Sequence, residues 1–159
     1  MNLREAKLKD IPNIEEVFVP GVKEELKLQL SGKRLKEALE NIKKFKKIRL
    51  KGLEKYIKSK LSHVIVAEDK KEIIGFGKAI VEKNRRKFGA TPMLYVKKEF
   101  RRRSVASKIK KELLKWLKSK KVKYVNTEMF IKNKPSINLN KKFGFKIIAV
   151  RMQKELKWT

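Results

Sequence analysis

The sequence contains no cysteine, and His63 is its one histidine. The absence of thiols excludes a disulfide scaffold, a thiolate zinc site and a catalytic cysteine nucleophile. A single histidine also excludes a metal site built from several histidines, so no metal is expected. His63 opens a predicted strand, which favours a structural role for it over a catalytic one.

Long apolar runs are missing as well. None approaches the ~18 residues that a bilayer-spanning helix needs, so no membrane partner is expected. The first residues, Met1 to Lys7, are charged and lack the apolar segment of a secretory signal. These absences predict a cytoplasmic protein.

Acidic residues are scarce beside basic ones, with 17 Asp+Glu against 45 Lys+Arg and a net charge of +28. Such an excess attracts polyanions, among them RNA, ribosomes, an acidic protein surface or a phosphate-bearing cofactor. Hydrophobic residues make up 41% of the chain, which is enough for a core despite the charge. A single domain over residues 1–159 is therefore predicted.

A strand, a basic turn and an amphipathic helix follow one another between Met93 and Lys121. Ser104 is a candidate N-cap for the helix. The helix has one apolar face, with residues recurring at steps of three and four: Val105, Ile109, Leu113, Trp116 and Leu117. Free N–H groups, a positive dipole end and the arginines of the turn together predict an anion-binding site.

Two segments resemble the signatures of GNAT-superfamily N-acetyltransferases. Arg101–Ala106 resembles the Q/R-x-x-G-x-G/A motif that holds the pyrophosphate of acetyl-CoA. Asn133–Phe145 is similar to the family's N-x-x-A-x-x-L-Y-x-x-L-G-F stretch, in the same order and about thirty residues downstream. The resemblance covers Asn2 to Leu156 and is weakest between Val22 and Leu61.

The resemblance implies an α/β (α+β) domain in which helices flank a mixed central sheet with splayed central strands. The residues predict the order β-α-α-β-β-β-α-β-α-β, with a helix break at Pro20–Gly21, a strand at Val122–Phe130 and a last strand or pair at Phe145–Leu156. The helical stretch Val22–Leu61, interrupted near Ser31–Gly32, is either a solvated basic cover or one wall of an acceptor groove.

The cofactor implied by the resemblance is acetyl-CoA. Backbone N–H groups of Leu94, Tyr95 and Val96 would polarise the thioester carbonyl, and Asn133 would bind the cofactor arm. The pyrophosphate would lie on the basic turn and the helix start: Arg101, Arg102, Arg103, Ser104, Val105 and Ala106. Ser104 stands where the motif prefers glycine, so it is strained if its φ is positive and a cap if it is helical.

The catalytic groups are less well defined. Asn140 stands where the family often has a tyrosine proposed as the general acid, and an amide hydrogen-bonds a thiolate without giving it a proton. Tyr124 is the nearest tyrosine on the following strand, with core packing as the alternative role. Glu128 and Glu82 are candidate bases, with a plain surface role as the alternative for each.

Three hypotheses follow. The first is an acetyl-CoA-dependent N-acetyltransferase acting on a protein N-terminus, a lysine or a small-molecule amine. The second is a basic nucleic-acid- or ribosome-associated binding protein on a GNAT-like scaffold without transferase activity. A third joins them, as an acetyltransferase whose charge brings it to nucleoprotein. Possible partners are thus acetyl-CoA, an amine, and an acidic protein or nucleoprotein.

Overall fold

A five-stranded mixed sheet runs through the computed structural model, which describes residues 1–154 and 156. Its strands lie in chain order: β1 (Asn2–Glu5), β2 (Ser62–Asp69), β3 (Glu72–Val81), β4 (Phe88–Val96) and β5 (Tyr124–Asn126). The first four strands pair antiparallel, whereas β5 lies parallel to β4. A parallel neighbour needs a crossover connection, and a helix supplies it here. The predicted fold class, a mixed sheet flanked by helices, is confirmed.

Helices cover both faces of this sheet: α1 (Ile11–Gln29), α2 (Gly32–Lys44), α3 (Lys46–Lys58), α4 (Val105–Ser119) and α5 (Lys134–Lys142). α4 packs on one face, α1 and α3 on the other, and α2 rests on α1 and α3. The predicted helical stretch with its interruption near Ser31–Gly32 is confirmed, and a second break at Phe45 was not predicted. Within residues 1–154 and 156, no helix combines the length and apolarity required to cross a membrane.

The apolar face predicted for α4 forms the centre of one core. Val105, Ile109, Leu113 and Leu117 are all buried against the sheet. Trp116 is half-buried and stacks on His63, with ring centres 5.2 Å apart. Burial lowers the pKa of His63, so its ring is neutral at pH 7. These contacts support the structural role favoured for His63.

The predicted helix break at Pro20–Gly21 is wrong, because α1 continues through both residues. Pro20 lies on the exposed side of the helix, where water can satisfy the carbonyl that its missing N–H leaves free. Gly21 lies on the buried side, against the ring of Tyr95. A Cβ at Gly21 would lie 2.2 Å from Cδ1 of Tyr95, so the glycine is required for close packing rather than for a turn.

The predicted strand or strand pair at Phe145–Leu156 is also wrong for the described residues, while Glu155 lies outside them. Residues 145–154 have no regular secondary structure, and apart from the half-buried Phe145 their apolar side chains face solvent, with Ile148 84% and Met152 91% exposed. The strand predicted at Val122–Phe130 is shorter than expected, since β5 has only three residues. An alternating apolar sequence forms a strand only beside a partner, and β5 offers too short an edge.

Lys78 is a buried lysine on the face of the sheet that α1 and α3 cover. Its ammonium lies 3.3 Å from the centre of the Tyr56 ring, and its side chain is buried on β3. Burial lowers the pKa of Lys78 to about 8 from an ordinary value of 10.5. The charged form therefore weakens the native state below pH 8, and this cost disappears as the pH rises towards 10.5.

Lys78→Met is expected to raise the free energy of unfolding at pH 7 by about 1–3 kcal/mol. Between pH 8 and 10.5 the unfolded wild type binds a proton at residue 78 that the native state does not, so wild-type stability rises with pH. The variant lacks this contribution. Urea unfolding at pH 7, 8.5 and 10 measures the difference, with exposed Lys108→Met as the control. Equal pH slopes in wild type and Lys78→Met would contradict the assignment.

Candidate functional site

Strands β4 and β5 separate after a short paired segment. They pair only from Phe88 to Ala90 on β4 and from Tyr124 to Asn126 on β5. Beyond this point Thr127 Oγ1 donates to the carbonyl oxygen of Thr91 across 3.1 Å, and β4 continues to Val96. The distal half of β4 therefore presents an open backbone edge beside β5.

The alternation of the β4 backbone decides which amides reach this edge. The N–H of Lys97 donates to the carbonyl oxygen of Ile74 on β3, at 2.9 Å. Successive residues of a strand point their backbone groups to opposite sides, so Tyr95 also faces β3. The N–H groups of Leu94 and Val96 face the open edge. Of the three amides predicted to polarise a carbonyl, these two are positioned to do so.

A buried lysine lies beside Thr91, where the gap between β4 and the segment after β5 begins. Lys110 on α4 donates from Nζ to Thr91 Oγ1 across 2.6 Å, and its ammonium lies 4.4 Å from the centre of the Phe145 ring. Burial lowers the pKa of Lys110 to about 8. Thr91 thus forms hydrogen bonds with two elements: its carbonyl bonds to the segment that follows β5, and its hydroxyl bonds to α4. The gap opens from Thr91 towards the end of β4.

The turn that enters α4 leaves the first helical amides without an internal partner. Ser104 occupies the N-cap position with φ 60° and ψ 11°, and its side chain makes no capping hydrogen bond. Arg102 also has a positive φ of 61°. The amides of Val105 and Ala106 belong to the first turn, where no carbonyl of the helix can reach them. They are available to an anion, and the positive end of the helix dipole lies there.

The three arginines of this turn differ in their surroundings. Arg101 donates from Nε to the carbonyl oxygen of Val96 at 3.0 Å, and its guanidinium forms an ion pair of 2.7 Å with Glu24. It therefore connects the end of β4 to α1. Arg102 and Arg103 are exposed, and the Arg103 guanidinium lies 5.5 Å from the ring centre of Phe100. These two are the arginines of the turn that extend freely towards an incoming anion.

Ser104→Gly is expected to raise the free energy of unfolding by about 1 kcal/mol, because glycine adopts a positive φ without the steric cost that serine meets. The melting temperature should rise by about 2–4 °C for a chain of this length. Ser107→Gly, inside the first turn of α4, is the control and should lower stability by a similar amount. Calorimetry on both variants tests this, and destabilisation by both would contradict it.

Side chains from α1, β4 and the start of α5 form hydrogen bonds with one another at the gap between β4 and the segment after β5. The hydroxyl of Tyr95 on β4 donates to Glu25 Oε2 at 3.0 Å. Nδ2 of Asn133 donates to the other oxygen of Glu25 at 3.2 Å, while Oδ1 of Asn133 accepts from Ser136 N at the start of α5. Glu25 belongs to α1 and was not among the predicted site residues. The carboxylate thus bridges α1, β4 and α5.

Asn140 is 6% exposed on the inner side of α5. Its Nδ2 donates to the carbonyl oxygen of Ser136 at 2.9 Å and approaches Met129 Sδ at 3.7 Å. Its Oδ1 is buried without a hydrogen-bond partner among the described residues. Since the amide donor is already engaged, the group that Asn140 offers to a ligand is an acceptor.

The structure places Tyr124 and Glu82 away from the gap, whereas Glu128 directly follows Thr127, where the two strands separate. Tyr124 pairs with Phe88 at the opposite end of β4, about 20 Å along the strand from Leu94, and stacks on the Phe88 ring. Glu128 is exposed on the segment after β5. Glu82 lies 3.8 Å from Arg85 in the turn before β4. Tyr124 is 50% exposed, so the core-packing role considered from the sequence does not match its position either.

A cleft of about 340 Å³ lies beside the end of β4. Helix α1 lines one side of it, with Gly21 and Glu24 among the contributing residues, and Val96 and the basic turn line the other. Its lining includes Val96, the last residue of the open edge, and Arg101 of the basic turn, but not Glu25 or the first residues of α4. An open strand edge and an uncapped helix start can together bind an extended anionic ligand and polarise a carbonyl held against the strand.

Comparisons with known proteins agree with this geometry. A family model described as "Acetyltransferase (GNAT) family" matches residues 30–145. The structure is similar to the PaiA N-acetyltransferase of Thermoplasma acidophilum solved with coenzyme A, with a TM-score of 0.77 and 16% identity over 94% of this chain and 92% of that one. No curated protein matches the sequence significantly.

Two further solved structures are similar in fold. A mutant of the BH1408 protein of Bacillus halodurans gives a TM-score of 0.77 at 15% identity, over 99% of this chain and 100% of that one. An aminoglycoside acetyltransferase from an uncultured soil metagenomic sample, in complex with sisomicin, gives 0.68 at 13% identity over 98% and 96% of the two chains. At these identities the likeness concerns the fold, while the family match rests on the sequence.

Proposed function

Because this chain belongs to the acetyltransferase (GNAT) family and is an N-acetyltransferase that uses acetyl-CoA, we propose that it acetylates an amine by direct attack of the amine nitrogen on the thioester. The acceptor class comprises protein N-termini, lysines and small-molecule amines. The observation that carries the proposal is the open edge of β4 next to an uncapped α4. The strand supplies amides for the carbonyl, and the helix start supplies amides for the diphosphate.

Two parts of the cofactor, the diphosphate and the arm that carries the thioester, have matching groups on the chain. The N–H groups of Val105 and Ala106, with Arg102 and Arg103 beside them, bind the diphosphate through backbone and charge-assisted hydrogen bonds. Leu94 and Val96 point their N–H groups into the gap that the pantetheine arm occupies. Bound there, acetyl-CoA supplies an acyl group activated as a thioester.

The chain's residues promote transfer by holding the thioester and stabilising charge on its oxygen. The two strand amides are fixed before reaction, so they favour negative charge that develops on that oxygen without reorganising. Asn140, whose buried Oδ1 has no hydrogen-bond partner among the described residues, would accept from an amide or thiol of the cofactor arm and gives the leaving thiolate no proton. That proton comes from water.

Acetyl-CoA binding should depend on the local arginines and not on total charge. The double variant Arg102→Gln with Arg103→Gln is expected to weaken acetyl-CoA binding about 10-fold in calorimetry, since each lost charge-assisted hydrogen bond is worth about 1 kcal/mol or more. The matched control replaces Arg85 and Arg86, two exposed arginines before β4, and removes the same charge. The control should bind acetyl-CoA like the wild type.

The same pair of variants separates the transferase from a nucleic-acid-binding protein. The excess of 45 basic over 17 acidic residues is the observation that favours the second function. Non-specific nucleic-acid binding depends on total charge and falls steeply with salt, so both double variants should reduce it alike. The transferase proposal would be overturned if both double variants lost nucleic-acid binding equally and the wild type transferred no acetyl group to a panel of amines.

A further inference from the structure

Glu25 has no cationic partner, as is true of five other acidic residues among those described, but of these six it is the one that accepts side-chain hydrogen bonds. In a chain with 45 Lys+Arg, the ion pairs found among the described residues do not include Glu25, whereas the adjacent Glu24 pairs with Arg101 at 2.7 Å. The two groups that hold Glu25 are neutral, a phenol and an amide. The carboxylate is thus oriented by neutral donors, and it forms no ion pair among the described residues.

Tyr95 keeps that carboxylate in a fixed position. Its ring packs edge-on to Phe18 with centres 5.3 Å apart, lies 5.8 Å from the ring centre of Phe76, and covers Gly21. Burial, followed by the charge of Glu25 and their hydrogen bond, raises the pKa of Tyr95, so its hydroxyl stays protonated and donates. Each Glu25 oxygen receives one such bond, and a carboxylate oxygen accepts more than one.

We propose that Glu25 binds the ammonium group of the acceptor and takes its proton, so that the acceptor is an alkyl amine, protonated in solution. The inference rests on the proposed function. Glu25 is hydrogen-bonded to Tyr95 on β4 and to Asn133 on the chain that follows β5, so the carboxylate connects the segments on the two sides of the gap. An ammonium ion meets a compensating charge there, in a protein whose net charge of +28 otherwise repels it.

Glu25 takes one proton from the ammonium and later releases it to water. The nitrogen lone pair forms the new C–N bond to the acetyl carbon, and the C–S bond breaks with its electron pair leaving on sulfur. The nitrogen loses a second proton, which reaches the thiolate through water. Tyr95 and Asn133 are positioning residues in this scheme, because they act by holding Glu25.

The test compares two acceptors that differ in charge at neutral pH. Glu25→Gln keeps the size of the side chain and removes its charge. With an alkyl amine, such as a polyamine, a lysine peptide or sisomicin, kcat/KM at pH 7 should fall about 100-fold, the usual contribution of a positioned base. With an aryl amine, which is uncharged at pH 7, it should stay within about 2-fold of wild type, because no proton has to be removed before attack.

Further readouts exclude a structural cause. The Kd of acetyl-CoA should be unchanged in Glu25→Gln, and its deficit with alkyl amines should shrink as the pH rises towards the amine pKa of about 10. Glu25→Asp should keep part of the preference for alkyl amines. Glu37→Gln, an exposed glutamate on α2, makes the same charge change as a control.

Three results would overturn the inference. A wild-type rate of Glu25→Gln with alkyl amines would show that the carboxylate takes no proton. Equal losses with alkyl and aryl amines would assign Glu25 a structural role. A wild-type chain that acetylates neither class would remove the proposed function itself, and this outcome is distinct from the first two because the wild type alone reveals it.

Discussion

Replacing Gly21 with alanine is expected to lower the free energy of unfolding by about 2–3 kcal/mol, the upper range for an overpacked core. The same change in the middle of a helix normally raises stability by about 1 kcal/mol. Here the new Cβ would meet Cδ1 of Tyr95 at 2.2 Å and Cε1 at 2.9 Å. The ring cannot turn away without leaving Phe18 and Phe76. The loss should appear as a fall in melting temperature of about 5–10 °C.

Gly52 provides the control for this experiment. It lies within α3, and no atom is within 4 Å of the Cβ that alanine would add, so Gly52→Ala should stabilise the protein. A double-mutant cycle with Tyr95→Ala isolates the clash, since Gly21→Ala should cost much less once the ring is gone. If Gly21→Ala were as favourable as Gly52→Ala, the close packing of Tyr95 on α1 would be refuted.

Arg49→Met is expected to cost about 3 kcal/mol, because it leaves a buried carboxylate without its counter-charge. Arg49 on α3 pairs with Glu15 on α1 at 2.8 Å, with side chains only 19% and 9% exposed, and also donates to the carbonyl of Ile42 on α2. The other oxygen of Glu15 already lacks a partner among the described residues. Urea unfolding followed by circular dichroism measures the effect as a lower midpoint.

Removing both charges should restore most of the stability. Glu15→Met combined with Arg49→Met replaces the pair by apolar side chains of similar volume, and such exchanges are often neutral. The double variant should therefore lie within about 1 kcal/mol of wild type. A double variant as unstable as Arg49→Met alone would show that the hydrogen bond to Ile42, and not the charge of Glu15, makes Arg49 important.

Short-range sequence patterns predicted much of the fold. The helical spacing of Val105, Ile109, Leu113 and Leu117 identified the buried face of α4. The arginine-rich turn located the start of α4. These features depend on neighbours within a few residues, which is why the sequence alone is enough to find them.

Features that depend on distant contacts were not predicted. Glu25 contacts Tyr95 and Asn133 across 70 and 108 residues of sequence, so nothing near Glu25 distinguishes it from the other glutamates of α1. Pro20–Gly21 has the composition of a turn, and only the packing of Tyr95 explains why the helix continues there. Positions 145–154 have the composition of a strand without an adjacent edge to pair with.

The exposed apolar side chains of residues 147–154 and 156 affect how this protein behaves in concentrated solution. Ile147, Ile148, Val150, Met152 and Leu156 are each more than 60% exposed, which leaves a hydrophobic strip beside a surface of net charge +28. Mutual repulsion keeps such molecules apart while the Debye length is long. At about 1 M salt that length shrinks to roughly 3 Å, and the strips of separate molecules are then free to adhere. Colloidal stability should therefore depend on ionic strength, and buffers of low salt suit this chain best.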